Sequence, residues 1–528
     1  MAYATAVYSN LTPQLHSDSA IVSINGQGMS TGQLCRLRPQ RQPHAEAARH
    51  AQPRRIRYPH GSHPRRQDSA ASNAQEVLDD HARVIPESVS VSGSSGKYQI
   101  VWNVTNDDGK GVLMYAYPHH QSSISSAQPT NLTLASATHG PMKAYIGNMW
   151  TLTKPDLSTA SWLPRNAAVP KALLQPVTDA LDADLRQDWT YDCDRATNYF
   201  SGKALQKWAL VALISNRPET GLAARPNAVQ KLKDALAPFL GNVQQDPFNY
   251  DATYKGVVAR CRITSGDAGC EFGHTHYNDH HFHQGYLIAT AAVIKMLDPA
   301  WRSDELNAWT EALIRDVNNP LATDNYFPQF RYFDWFAGPV ALPSAAPLTD
   351  ATKNRTRNPS TSSGPQALGA LNQQHGSPLS ELTAAKRAGP HRERLLLPPR
   401  RQRKHPPNFT PNRVTGIHFE DKVDYTTYFG RTLWEVHGIQ MMPMTPALEE
   451  ARAATFVREE WERIRGAAPE NGWASVLWMN QAIVDADAAF TRLQAAELDG
   501  GIARAWALYW AAAHGAQSGI AANATQGL

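Results

Sequence analysis

Apolar and polar positions change their period once along this chain. Up to Leu152, apolar and β-branched residues come in short runs: AIVSI (Ala20–Ile24), VSVSG, YQIVWNV, GVLMYAY, NLTLAS and MKAYIGNMWTL (Met142–Leu152). Turn residues separate them, as in the NDDGKG that follows YQIVWNVT. Alternation places every second side chain on one face, so this third is predicted to be antiparallel sheet, most simply a sandwich. MKAYIGNMWTL reads as its last strand. After Pro155 the apolar residues recur at helical spacing, first in ALLQPVTDALDADLRQDW, KALQKWALVALISN, NAVQKLKDALAPFL, YLIATAAVIKML and LNAWTEALIRDV. ALEEARAATFVREEWERI, ASVLWMNQAIVDADAAFTRLQAA and GIARAWALYWAAAHG continue it towards the C-terminus. Many helices joined by aromatic- and His-bearing loops predict a helical toroid. No Gly-rich phosphate loop or dinucleotide fingerprint interrupts them.

Two stretches fit neither period. Residues from about 34 to 75, and from about 339 to 412, are rich in Arg, Pro, His and Gln or Ser. A linker explains such a composition, and so does a nucleic-acid-binding arm. These stretches also carry much of the positive charge. The formal net charge is +4, and without the two Arg-rich runs the remainder is acidic. They hold no interleaved aromatic platform beyond Tyr58, which argues against nucleic acid as partner.

At 528 residues the chain is too long for one core, and two or three domains are expected. With 42% hydrophobic and 19% charged residues it has an ordinary globular composition. Its 14 Trp and 18 Tyr suit a large core and also suit sugar rings, whose C–H faces stack on flat apolar surfaces. No stretch is apolar enough to span a membrane, and Met1–Thr12 lacks the basic start and apolar run of a secretory signal. Asn10, Asn103, Asn131, Asn408 and Asn523 stand in glycosylation triplets. Among Cys35, Cys193, Cys261 and Cys270, the last two bracket a Gly-containing loop. They form either a short disulfide or two thiols.

The stretch richest in chemistry is YNDHHFHQGYLIATAAVI, Tyr277 to Ile294. Asp279, His280, His281 and His283 stand just before an apolar helix. Three readings compete. The histidines and Asp279 could ligate Zn²⁺. Asp279 could cap the helix, with the histidines as its polar neighbours. Or Asp279 could be a general acid in a sugar-binding groove, its pKa raised by desolvation among His and Tyr.

YNDHHFHQGY closely resembles the YNDHHFHYGY block of family 81 endo-β-1,3-glucanases, with Gln284 where that family usually has an aromatic residue. Further blocks resemble the family in its own order. They include TPQLHSDSAIVSINGQG, YPHHQ, YIGNMWTL, YFSGKALQK, FNYDATYKGVV, LIRDVNNP, YFPQFRYFDWFAG, VDYTTYFG and HGIQMMPMTP. The resemblance implies an N-terminal β-sandwich (1–160), a small mixed linker region with the first helices (161–240) and a C-terminal (α/α)6 toroid (241–528). It implies endo-hydrolysis of β-1,3-glucan with inversion, no cofactor, a monomer, and an extracellular or cell-wall location. Inversion requires two carboxyl groups roughly 6.5–9.5 Å apart with a water between them. Asp279 matches the family's general acid. Tyr277, His281, His283 and Tyr286 would line the cleft. Arg331, Asp334 and Trp335 would sit nearby, Asp334 as an acceptor for a sugar hydroxyl.

The family pattern breaks after FDWFAG. Pro339-Val340-Ala341-Leu342 stand where the family has His-Ser-Trp-Ala, and the Glu-rich block that supplies the general base is absent. The pattern resumes near Val414. Both anomalous stretches read as translated out of frame: shifting the frame under Lys353–Thr361 permits Ser-Glu-Ser, which resembles the missing block. An inserted loop is the alternative. Glu381, in SPLSELTAA, reads as an exposed loop residue rather than the base.

Overall fold

In a computed structural model of the chain, the described residues are 23–24, 27–28, 74–94, 97–105, 107–136, 140–153, 162–267, 269–277, 279–319, 321–329, 331, 333–334, 336, 338–339, 410–414, 430–446, 448–449 and 452–516. The anomalous stretches fall almost wholly outside them. The chain divides into two compact units, residues 1–75 and 76–528. In the first, β1 (Ser23–Ile24) pairs antiparallel with β2 (Gln27–Gly28).

In the second unit, after α1 (Ala74–His81), strands β3 (Ile85–Ser94), β4 (Lys97–Thr105) and β8 (Met149–Thr153) form an antiparallel sheet in the order β3-β4-β8. Strands β5 (Leu113–Ala116), β6 (Gln128–Ser136) and β7 (Gly140–Ile146) form a second, in the order β5-β7-β6. Alternation decides which side chains are covered: Tyr98, Ile100 and Trp102 of β4 are buried in turn. They share one apolar cluster with Ala116, Tyr145, Trp150 and Leu152, drawn from both sheets. Trp102 meets Trp150 edge to face at 5.0 Å.

The predicted strand MKAYIGNMWTL is two strands in two different sheets. The chain switches at Gly147, whose φ of 142° favours glycine. Next to it, the Asn148 side chain leaves the ladder. It accepts the Val112 N–H (2.8 Å) and donates to Asp107 (2.7 Å). Alternation is the same on both sides of such a switch and does not reveal it.

The helical part comprises α3 (Leu174–Leu185), α4 (Trp189–Cys193), α5 (Asn198–Ile214), α6 (Pro226–Leu240), α7 (Cys261–Ser265), α8 (His280–Leu297) and α9 (Ser303–Asn318). After the anomalous stretch come α10 (Leu433–Gly438), α11 (Ala454–Ile464), α12 (Trp473–Gln481), α13 (Ala486–Ala495) and α14 (Arg504–Ala513). Helices α5 and α8 are buried on nearly every side, with apolar residues filling most positions and the polar ones buried with them. They touch closely at Gly202, where a Cβ would lie 3.1 Å from that of Tyr286. Helix α14 packs against α3, and the buried Asp184 of α3 accepts the Ala505 N–H (2.8 Å) in its first turn. The indoles of Trp506 and Trp510 are buried yet donate to Met444 O (2.9 Å) and Met479 O (2.8 Å). Each such side chain contributes about 1.5–3 kcal/mol by leaving water.

Between α6 and α8, a hairpin of β9 (Phe248–Asp251) and β10 (Gly256–Ala259) leads to a 3₁₀ turn, Cys270–His276. A disulfide joins Cys261 to Cys270, which decides between the two cysteine alternatives. Cys193 is a buried thiol, and Cys35 lies outside the described residues. The two parts of the second unit meet where His120 of α2 (Pro118–Gln121) donates from Nε2 to Phe336 O (2.7 Å). No helix among the described residues is long and apolar enough to cross a membrane.

Candidate active site at the head of helix α8

The head of α8 is reached through unusual backbone. Tyr277 and Asp279 both take left-handed conformations, with φ of 61° and 53°. For residues other than glycine these cost of order 1–3 kcal/mol each and persist where the surroundings enforce them. Asp279 is 2% exposed. Its carbonyl accepts the N–H groups of Phe282 (2.9 Å) and His283 (3.0 Å), but its carboxylate makes no capping bond to α8. The capping reading is therefore wrong: in the left-handed conformation the side chain is not presented to the helix's free N–H groups.

A closed set of buried hydrogen bonds holds this backbone. It starts on β10, where the Ala259 N–H donates to His274 Nδ1 (3.1 Å). His274 Nε2 meets His280 Nδ1 at 3.1 Å, and His280 Nε2 meets Asp316 Oδ2 at 2.8 Å. Asp316 also accepts the Val257 N–H (2.8 Å) and pairs with the Arg331 guanidinium (2.8 Å). Arg331 completes the loop by donating to Tyr254 O (3.1 Å) and Lys255 O (2.5 Å), in the turn of the same hairpin. Its guanidinium also lies 4.6 Å over the Tyr277 ring, and the Tyr277 hydroxyl donates to Asp251 Oδ2 (3.0 Å).

The other predicted residues take diverse places. His281 Nε2 donates to Val317 O and Arg331 O, both at 3.0 Å, and so ties α8 to the segments that carry Asp316 and Arg331. His283 stacks on His274 (4.8 Å between rings), and its Nδ1 lies 3.2 Å from Glu271 Oε1. Glu271 in turn accepts the Tyr199 N–H (2.5 Å) in the first turn of α5. Tyr286 is packed in the α5–α8 contact, 4.9 Å from the Phe282 ring. Asp334 lies in β11 (Phe333–Asp334), paired with β12 (Gly338–Pro339); its side chain and Trp335 lie outside the described residues.

Burial sets the electrostatics. It pushes the imidazoles of His274 and His280 well below the ordinary range, helped by neighbouring histidines and, at His280, by Arg331. It pushes Asp316 up to about 7, against the pull of Arg331 and the Val257 N–H. Every group facing the Asp316 carboxyl is a donor, so the carboxylate is the form this site accommodates. Burial and the nearby Glu271 push Asp246 up to about 6.

His274, Glu271 and Asp316 escaped the sequence reading. Asp316 stood in the family-like LIRDVNNP, but its partner lies 36 residues back in the chain. No group of three His, Cys, Asp or Glu among the described residues is arranged to hold a metal ion.

Comparison with known proteins follows the same order along the chain. The glycosyl hydrolase family 81 N-terminal domain matches residues 65–167, and the family 81 C-terminal domain matches 168–362 and 393–508. A glucan endo-1,3-beta-D-glucosidase of Arthroderma benhamiae is 33% identical over 476 residues, 84% of this chain and 52% of that protein. The primary septum glucan endo-1,3-beta-D-glucosidase of Schizosaccharomyces pombe is 30% identical over 468 residues, 83% of this chain and 45% of that protein. The chain thus spans about half the length of these curated relatives. A mutant of glycoside hydrolase family 81 from Clostridium thermocellum shares the fold, with a TM-score of 0.66 at 18% identity, over 84% of this chain and 62% of that one.

Proposed function

Because this chain belongs to glycoside hydrolase family 81, we propose that it acts on β-1,3-glucan, cleaving within the chain with Asp279 as the general acid. The observation that carries this reading is the setting of Asp279. It is a buried carboxyl on enforced left-handed backbone, at the head of a buried helix, in the stretch of chain that carries Tyr277, His280, His281 and His283. A carboxylic acid so held can give its proton to a glycosidic oxygen as the bond to the sugar breaks. Tyr277, His283 and Arg331 would support the sugar, with Asp334 and Trp335 beside them; His281 and Tyr286 would shape the cleft from behind.

An inverting route needs a second carboxylate to take a proton from the attacking water. The family's Glu block for that role is missing from this sequence. A chain lacking it binds glucan and hydrolyses it slowly, since a general base contributes about 10²–10⁴-fold. That favours a second reading, a catalytically impaired glucan-binding relative or the product of a frame-shifted gene. Of the stretch that reads as out of frame, the family match covers 339–362 and 393–412 and leaves 363–392 uncovered.

We read the two sheets with their shared core as a β-sandwich and the helices as an (α/α)6 toroid. The return of α14 to α3 supports a closed ring. The divisions at 160 and 240, a monomeric state and an extracellular or cell-wall location belong to the same proposal. The test is release of reducing sugar from laminarin by the full chain beside Asp279→Asn, with laminarin retention measured on both. Release lost in the variant while retention persists supports the acid. Retention without release in either protein favours the binding-only reading, and absence of both overturns the glucan assignment.

A further inference from the structure

We propose that His274, His280 and Asp316 form a tautomer lock, a positioning array that keeps both buried imidazoles uncharged at the head of α8.

Direction in the array is imposed from the backbone. A main-chain N–H can only donate, so the Ala259 N–H (3.1 Å) makes His274 Nδ1 an acceptor. A neutral His274 then carries its proton on Nε2 and donates it to His280 Nδ1 (3.1 Å). His280 is left with its own proton on Nε2, donated to Asp316 Oδ2 (2.8 Å). Asp316 accepts it because its other neighbours, the Val257 N–H and Arg331, also donate. A second proton has no place to enter. On His280 Nδ1 it would face the N–H of His274, and His274 cannot turn its proton to Nδ1, where the Ala259 N–H points. Both rings are completely buried, out of reach of bulk water.

The lock matters because His280 opens α8 directly after Asp279: a charged ring there would set two donors against each other and loosen the bonds that hold this backbone. Asp316 alone would invite that cation. His274 prevents it. The other charged or titratable groups around His280 are Arg331, beyond Asp316, and Tyr277, whose ring lies 4.9 Å away. His281 and His283 share its helix, Glu271 lies beyond His283, and Asp251 accepts from Tyr277. The low imidazole pKa values agree with this arrangement and have burial as their first cause.

The experiment has two arms on the full chain. In the first, ¹⁵N-histidine NMR reads tautomer and charge, with the signals of the two rings identified by their loss in His274→Gln and His280→Gln. Both rings are expected neutral with the proton on Nε2 from pH 5 to 8. A ring that titrates in that range, or carries its proton on Nδ1, overturns the lock. In the second, His274→Asn keeps an acceptor for the Ala259 N–H but loses the donor to His280, whereas His274→Gln keeps a donor. In His274→Asn the His280 ring is expected to titrate between pH 5 and 8 in the same spectra, whereas in His274→Gln it should stay neutral with its proton on Nε2. A His280 ring that stays neutral in His274→Asn overturns the lock.

Discussion

The Tyr277 ring occupies the space that a side chain on Gly256 would need. A Cβ at Gly256 would fall 2.5 Å from Tyr277 Cε1 and 2.6 Å from its hydroxyl, with an Arg331 nitrogen at 2.8 Å. Those atoms are themselves fixed, the hydroxyl on Asp251 and the guanidinium on Asp316. Gly256→Ala should therefore displace Tyr277 and cost about 1–3 kcal/mol of stability, the range for an overpacked interior. Urea denaturation measures the loss. If the site is that of a glucanase, laminarin hydrolysis should fall with it, and a variant as stable and active as the wild type would show that this contact holds nothing in place.

Far from α8, Glu460 is completely buried between His437 Nδ1 (2.7 Å), Asn480 Nδ2 (3.1 Å) and the Arg452 guanidinium. Burial pushes its carboxyl up, but Arg452 and His437 outweigh it and hold the pKa at about 2, below its ordinary 4.5. The stabilising contribution is therefore complete above pH 4.5 and is lost as pH falls towards 2. Glu460→Ala leaves Arg452 buried without its carboxylate and should cost about 3–5 kcal/mol at pH 7. Thermal melting at pH 7 and pH 3 checks both the size and the direction, since the gap between the two proteins should narrow in acid.

Asp246 should behave in the opposite sense. Its folded pKa of about 6 lies above the ordinary 3.8. The contribution to stability is present below pH 3.8 and is lost as pH rises through 6. Asp246→Asn should raise the melting temperature relative to wild type at pH 7 and lose that advantage at pH 4. An equal offset at both values would contradict the assignment.

The Cys261–Cys270 disulfide closes a loop of nine intervening steps just before the turn that carries Glu271 and His274. Closing so short a loop contributes about 2–3 kcal/mol through the unfolded chain. Dithiothreitol or the Cys261→Ser/Cys270→Ser pair should lower stability by that amount. Cys193 should stay unreactive to iodoacetamide in the folded protein, because it is buried and burial raises its thiol pKa.

Much of this molecule was legible from order and spacing alone. The change of period after Pro155, the alternation along β4 and the apolar surfaces of α5 and α8 are local properties, so strands first and helices second could be read directly. The block Tyr277–Tyr286 pointed to the head of α8 as the candidate site. Local patterns could not show that β7 and β8 belong to different sheets, or that Asp279 turns left-handed instead of capping its helix. Nor could they join His274, His280, Asp316 and Arg331 with a hairpin more than seventy residues before Arg331. A residue's period depends on its neighbours in sequence, which the chain itself supplies. Its hydrogen-bond partner, its tautomer and its charge depend on neighbours in space, and only the packed tertiary structure brought those together.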